Sequence, residues 1–407
     1  MLRINNFDRT KTVFYTVVQS KIDFSNTEVA FHLKTDAELE RAYFLFKMIA
    51  NEPLVRIGTA ATNFALKTHL PVEGLIRATV FDHFCGGVSA EDCMPKIDQM
   101  FRSGVYSVLD YSVEGKQEET QFDLILEQMC TLVDFADEKA AMPFAVFKPT
   151  AVGRFDIYKK ISASIPLSDE ELSEWKRIQE RFHHICRYGQ EKNIAILVDA
   201  EESWIQKAAD DLLLDMMRTY NKDKVVVYNT LQAYRWDRLD YLKHLHQIAK
   251  KEGFKLGFKL VRGAYMEKER ERAERKNYSS PICNTKADTD IQFDDCLTYM
   301  LNNLDDTSVF LGTHNERSTH LALNLMTQLG VNIDDPRIWF GQLFGMSDHI
   351  SFNLANAKYN VAKYLPFGPV RDVMPYLIRR AEENTSVAGQ TNRELLLIKQ
   401  EKKRRKT

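Results

Sequence analysis

Two different periods of hydrophobic and polar positions run along this chain. Residues 1–100 follow a helical period. There "TDAELERAYFLFKMIAN" (35–51) opens on Thr35 and Asp36 as caps, with Glu38 and Glu40 in the early turns. "PLVRIGTAATNFALKTHL" (53–70) continues with helix-favouring residues. From residue 104 short β-rich runs take over, each followed by an amphipathic stretch. They are "VYSVLDYS" (105–112), "FAVFKPT" (144–150), "IAILVDAE" (194–201), "KVVVYNTLQ" (224–232), "FKLGFKLVRG" (254–263), "SVFLGTHN" (308–315), "RIWFGQLFG" (337–345) and "NVAKYLPFG" (360–368). Their Val, Ile, Leu and Phe content predicts strands buried on both faces, as a parallel sheet between helices requires.

Eight β-then-α units over roughly 280 residues are the size of a (β/α)₈ barrel. The expected fold is therefore α/β, a TIM-type barrel over 101–390. A helical segment (1–100) precedes it and a basic tail (391–407) follows. A doubly wound sheet is the alternative, weakened because no G-x-G-x-x-G follows any strand. The stretch 156–189 is longer than a minimal βα connection and predicts an extra helical excursion.

Composition narrows the function classes. The chain has 407 residues, 44% of them hydrophobic, and a formal charge of −2. Such a balance gives no footprint for nucleic acid. Its six cysteines are scattered without a C-x-x-C and read as reduced thiols of a cytoplasmic-type protein. No stretch approaches the ~20 consecutive apolar residues of a membrane span. The N-terminus lacks an apolar signal core and carries acids among its bases, so a mitochondrial presequence is not favoured. The closing basic run "KQEKKRRKT" reads first as a frayed helix end in solvent, and second as peripheral contact with an anionic membrane surface.

A barrel places its active site at the C-terminal ends of the strands. Those ends carry Lys148, Asp199, Gln232, Lys259 with Arg262, Thr313-His314-Asn315, Gln342 and Tyr364. Each alone reads as a local cap, but together they are hard to explain so, because polar groups near a barrel mouth cost free energy unless paired. Beyond the last strand, Tyr376, Arg379, Arg380 and Glu383 stand at i, i+3, i+4 and i+7, one face of a helix and usually its apolar one. With Lys148, Lys259, Arg262 and Lys286, the cations outnumber Asp199 and Glu383, which favours an anionic ligand. Gly263 follows its strand immediately, where a backbone can approach a flat ligand.

Other chemistries find less support. There is no H-E-x-x-H or C-x-x-C for zinc, no G-x-S-x-G elbow and no G-x-x-x-x-G-K phosphate loop. "HFCGG" and "RFHHIC" lie away from strand ends and read as structural. A flavin-free barrel lyase or aldolase, with Lys148 or Lys259 as its Schiff-base amine, stays open as a different class.

"KLVRGAYMEKE", "VDAEES", "FLGTHN", "GQLFGM" and above all "YLPFG…YLIRRAEENTS" resemble the proline dehydrogenase family of flavoenzymes. The similarity runs from Tyr106 to Ser386, and the terminal Y-x(11)-Y-x-x-R-R-x-x-E-N pattern is highly specific. The resemblance implies a barrel holding FAD non-covalently, with its last helix over the mouth. It implies oxidation of L-proline to Δ1-pyrroline-5-carboxylate by hydride transfer to flavin N5, with electrons passed to a quinone.

By the same resemblance Arg379 and Arg380 bind the proline carboxylate, joined by Lys148, a task suited to paired guanidinium groups. Tyr364, Tyr376 and Leu343 surround the pyrrolidine ring, and Asp199 orients the site through Tyr364. Glu383 holds the last helix near the cofactor, and Glu114 falls where some relatives have a gating acid. Gln232 matches a residue bonding the isoalloxazine ring. Lys259 stands where many bacterial members have arginine beside the flavin N1/N5 edge. Ala200, Val261, Arg262, Gly263, Ala264, Lys286, Thr313, His314 and Asn315 match other cofactor contacts. Met266 replaces a tryptophan of some relatives, which leaves the adenine side open.

Within the family, hydroxyproline dehydrogenase is the rival, and the Tyr364 phenol argues against it by crowding a ring hydroxyl. The chain ends soon after the barrel, so a separate pyrroline-5-carboxylate dehydrogenase is the expected consumer of its product. The expected compartment is the cytoplasm, with peripheral contact at the inner membrane, or the mitochondrion in a eukaryote.

Overall fold

The computed structural model describes residues 22–51, 53–55, 58, 60, 73–111, 118–386 and 388–406. Most of the 53–70 stretch read above as helical lies outside these residues. The eight β-rich runs form the strands β1 (Val105–Tyr111), β2 (Phe144–Phe147), β3 (Ala195–Val198), β4 (Val227–Gln232), β5 (Leu256–Val261), β6 (Thr307–Gly312), β7 (Ile338–Leu343) and β8 (Val361–Phe367). All neighbours are parallel, and the strands close in chain order into a barrel. β1 meets β8 from Val105–Val361 to Tyr111–Phe367. Closure excludes the doubly wound alternative.

The period-2 alternation of strands sorts the side chains into two cores. Ile196 and Val198 point outward to the helices, while Leu197 between them points into the barrel with Val108, Phe144, Val146, Tyr228 and Phe310. Phe144 meets Phe310 edge-on at 5.3 Å and Trp339 at 5.1 Å, the arrangement aromatic quadrupoles prefer. Gly341 makes room for this plug, since a Cβ there would stand 2.1 Å from the Phe310 ring. Further along the same inward positions the residues turn polar: Asp110 after Val108, Lys148 after Val146, Asp199 after Leu197. An apolar floor thus carries a polar mouth.

The N-terminal helix Asp36–Ile49 starts with the capping box its sequence predicts: Glu38 N–H donates to Thr35 Oγ1 at 3.3 Å and Thr35 N–H to Glu38 Oε2 at 2.7 Å. The 156–189 excursion is two helices, Phe155–Ser162 and Asp169–Lys192. The helix after β8, Val370–Ser386, is followed by a final helix, Ala388–Arg404. That final helix packs Leu397 and Ile398 against Phe31, Leu39 and Phe46 of the N-terminal helices. The basic run is therefore no frayed end. Buried Glu401 accepts from Arg404 and Arg405 at 2.9 and 2.8 Å, and Lys402 pairs with Glu40 at 2.7 Å.

A buried ionic triad fixes this N-terminal layer to the barrel. Lys363, on the outer face of β8, lies 2.8 Å from Asp348, which also meets Lys34 at 3.1 Å. Burial opposes ionisation of Asp348, but the two ammonium groups outweigh it and hold the carboxyl well below the usual range.

Candidate active site

A cavity of about 660 Å³ opens at the C-terminal ends of the strands, within the size range of ligand sites. The sequence-predicted residues converge on it. Lys148, Asp199, Ala200, Gln232, Lys259, Val261, Arg262, Gly263, Ala264 and Lys286 line it from the β2 to β5 side. Thr313, His314, Asn315, Gln342, Leu343 and Tyr364 line it from β6 to β8, and Tyr376, Arg379 and Arg380 from the helix Val370–Ser386. The polar face of that helix is thus turned into the cavity. Of the remaining predicted residues, Glu114 lies outside the described residues, and Glu383 is on the helix with its side chain not described.

One chain of polar contacts crosses the strand ends. Lys148 Nζ lies 3.6 Å from Asp110 and 3.8 Å from Asp199. The other Asp199 oxygen accepts from Lys259, whose ammonium also donates to the Tyr364 hydroxyl at 3.1 Å. Burial, then the charges of Asp199 and Asp110, push the Tyr364 phenol well above its ordinary value, so it stays neutral and can donate. Gln232 donates to the Glu201 carbonyl at 2.8 Å, locking β4 to the loop after β3.

The β5–β6 side is braced by Arg262. Its guanidinium donates to Asp290 at 2.8 Å and to Thr313 Oγ1 and Ser318 Oγ at 3.0 Å each, with Phe293 stacked 4.3 Å away. A planar fork fills these positions as lysine could not. Lys286 pairs with Asp290 at 2.6 Å yet keeps an exposed side chain. Gly263 adopts φ +134°, and a Cβ there would stand 2.5 Å from the Tyr234 ring. Only glycine lets the backbone line the cavity at this point.

His314 is held by Ser347 at 3.0 Å, and burial, then Lys363 and Arg380, pull its imidazole down to about 3. It is a neutral ligand or hydrogen-bonding group, not a cation. Asn315 accepts from Ser318 N–H at 3.0 Å and caps the helix Glu316–Gln328. "HFCGG" and "RFHHIC" play structural parts: His83 bonds the Gly345 carbonyl at 3.0 Å, and His183 meets Tyr220 at 3.0 Å.

Sequence reasoning missed several lining residues. Asp110 occupies an inward strand-end position and was visible from the alternation of β1. Glu316, His349 and Arg393 had no such signal, since they meet only through tertiary packing. Burial alone would raise the Glu316 carboxyl, but hydrogen bonds from His349 at 3.1 Å and Arg393 at 2.7 Å hold it at about 2. Glu201, in the loop after β3, lies outside the lining and braces it. It accepts from Thr150 N–H at 3.0 Å and Thr150 Oγ1 at 2.6 Å, which fixes the loop after Lys148.

The donor set fits a flat, anionic dinucleotide. It offers a glycine-lined edge, exposed lysine at the rim, a neutral buried imidazole and an ammonium at the strand ends.

Residues 93–393 match the family model described as proline dehydrogenase. A carbapenem antibiotics biosynthesis protein, CarD, of Pectobacterium carotovorum is 36% identical, over 88% of this chain and 94% of its own. The mitochondrial proline dehydrogenase 1 of Arabidopsis thaliana is 32% identical, over 94% of this chain and 86% of its own. Among solved structures, proline utilization A of Bdellovibrio bacteriovorus superposes with a TM-score of 0.68 at 20% identity. That match covers 89% of this chain and 36% of that longer one.

Proposed function

This chain belongs to the proline dehydrogenase family, and from that premise we propose that it oxidises L-proline to Δ1-pyrroline-5-carboxylate with bound FAD. The observation that carries the reading is the convergence of Arg379, Arg380 and Tyr376 with Lys148, Asp199, Lys259 and Tyr364 on one cavity. FAD, when bound, supplies the hydride acceptor. Gln232, Lys259, Val261, Arg262, Gly263, Ala264, Ala200, Thr313, His314 and Asn315 are the residues that would hold it, with Lys286 at the phosphate end.

The chain's own part is orientation and electrostatics. Arg379 and Arg380 take the substrate carboxylate. Leu343, Tyr364 and Tyr376 enclose the ring. Asp199 and Lys259 fix the Tyr364 hydroxyl through the 3.1 Å bond. Lys259 also keeps a positive charge where negative charge develops during the reaction. No strong general base is needed once the amine is neutral, so a substrate bound in its ammonium form first gives up one proton; positioning of this kind accounts for ~7–11 kcal/mol of barrier in favourable cases.

The proposal extends to a quinone as final electron acceptor and to a separate dehydrogenase that consumes the product as a step of proline catabolism. The Arabidopsis relative is named mitochondrial, which supports that organelle; a peripheral place at a bacterial inner membrane is the alternative reading. Among the described residues no helix is long and apolar enough to cross a membrane.

The deciding experiment is an anaerobic visible spectrum of the purified protein before and after L-proline. Flavin bands that bleach with proline and resist hydroxyproline support the reading. Bands indifferent to proline remove the substrate, and a protein that takes up no flavin removes the cofactor.

A further inference from the structure

Asp110 lies next to the end of β1, two positions after Val108, so it stands on the inward face of the barrel and is only 6% exposed. Its carboxylate is 3.6 Å from Lys148 Nζ, while Asp199 approaches the same ammonium at 3.8 Å. The second Asp199 oxygen is taken by Lys259. Two lysines and two carboxylates therefore share the strand ends, and their formal charges cancel. Of the arginines lining the cavity, Arg379 and Arg380 come from the helix Val370–Ser386, while Arg262 at the end of β5 is paired with Asp290.

This division has a consequence for ligand choice. A simple carboxylate gains its charge partner from the arginines. A carboxylate that also bears an ammonium group needs, in addition, a surface beside the arginines that does not repel a second positive charge. With Asp110 in place the strand ends provide it. Without Asp110 two ammonium groups face one carboxylate, and the surface becomes cationic. We propose that Asp110 makes this pocket select carboxylates carrying an ammonium group over the same carboxylates without one. The inference rests on the reading of the site as an amino-acid pocket.

Two probes isolate the effect: 1-aminocyclopentane-1-carboxylate and cyclopentanecarboxylate. They share ring and carboxylate and differ by one ammonium group. Neither carries a ring nitrogen, so neither can form the cyclic imine. Their dissociation constants are measured by calorimetry on the FAD-loaded protein, and the ratio of the two is the readout. In Asp110→Asn the preference for the amino compound falls about ten-fold, the lower end of what one opposite charge within ~4–6 Å supplies. Asp110→Glu restores it. Equal weakening of both probes in Asp110→Asn overturns the proposal, since that is the result of a merely structural role.

Lys148→Met gives an independent arm should Asp110→Asn fail to fold. Removing the opposing charge shifts the ratio the other way, toward the amino compound, and an unchanged ratio overturns the proposal. Bleaching of the wild-type flavin by L-proline is recorded in parallel. Its failure removes the proposed reaction, whereas an unaltered probe ratio beside normal bleaching removes only the role of Asp110.

Discussion

Lys259 donates both to Asp199 and, at 3.1 Å, to the Tyr364 hydroxyl, so one ammonium group ties the ends of β3, β5 and β8 together. Lys259 is 6% exposed, and the charge it would leave behind on Asp199 is largely buried. Lys259→Met is expected to cost about 3–5 kcal/mol of stability, the usual result of removing one partner of a buried pair. Chemical denaturation measures it; a loss below about 1 kcal/mol would mean that Lys148 alone satisfies Asp199.

Arg380 lies 5.2 Å from the Tyr376 ring and lines the cavity with Arg379. Arg380→Met should raise the proline KM about ten- to hundred-fold, the equivalent of one hydrogen bond to a charged group. The flavin spectrum should remain. Normal saturation kinetics would remove the carboxylate role.

The Tyr364 phenol, 7% exposed, sits over the inner core and beneath the cavity. Tyr364→Ser opens that space and should widen acceptance toward hydroxyproline. The check is the ratio of kcat/KM for the two amino acids, and an unchanged ratio refutes the steric explanation.

Glu201 gives a pH signature. Burial, against the opposing Thr150 hydrogen bonds, raises its carboxyl to about 7 in the folded protein. A raised carboxyl stabilises the fold while protonated in both states. That contribution is lost as pH climbs from the ordinary carboxyl range through about 7. Glu201→Gln removes the dependence, so its stability relative to wild type should improve by about 3 kcal/mol across this window. Denaturation midpoints at a series of pH values measure it, and parallel curves for both proteins would contradict the assignment.

Gly263 tests the cofactor edge. Gly263→Ala meets both a positive φ and the Tyr234 ring. It should cost about 1–3 kcal/mol and release flavin on gel filtration. Retention of full flavin content would show that this backbone does not border the cofactor.

Much of this could be read before any coordinates. The short Val-, Ile-, Leu- and Phe-rich runs located all eight strands, and Thr35, Asp36 and Glu38 announced the cap that starts the helix Asp36–Ile49. The inward face of each strand was equally legible, because alternation is a local property of extended chain. The helical spacing of Tyr376, Arg379 and Arg380 was readable too, and the family resemblance placed that face over the barrel mouth, where the cavity has it.

What the sequence could not decide is which charges cancel. Lys148 counted as a free cation until the fold set it between Asp110 and Asp199. Arg262 read as a cation of the mouth, and the fold spreads its guanidinium over Asp290, Thr313 and Ser318 while it still lines the cavity. The basic tail looked solvated because its partners, Glu40 and Asp36, are some 360 residues away in the chain. Secondary structure follows from neighbours in sequence and is written locally. Electrostatic pairing depends on distances between remote segments, and only closing the barrel and laying both termini across it fixes those distances.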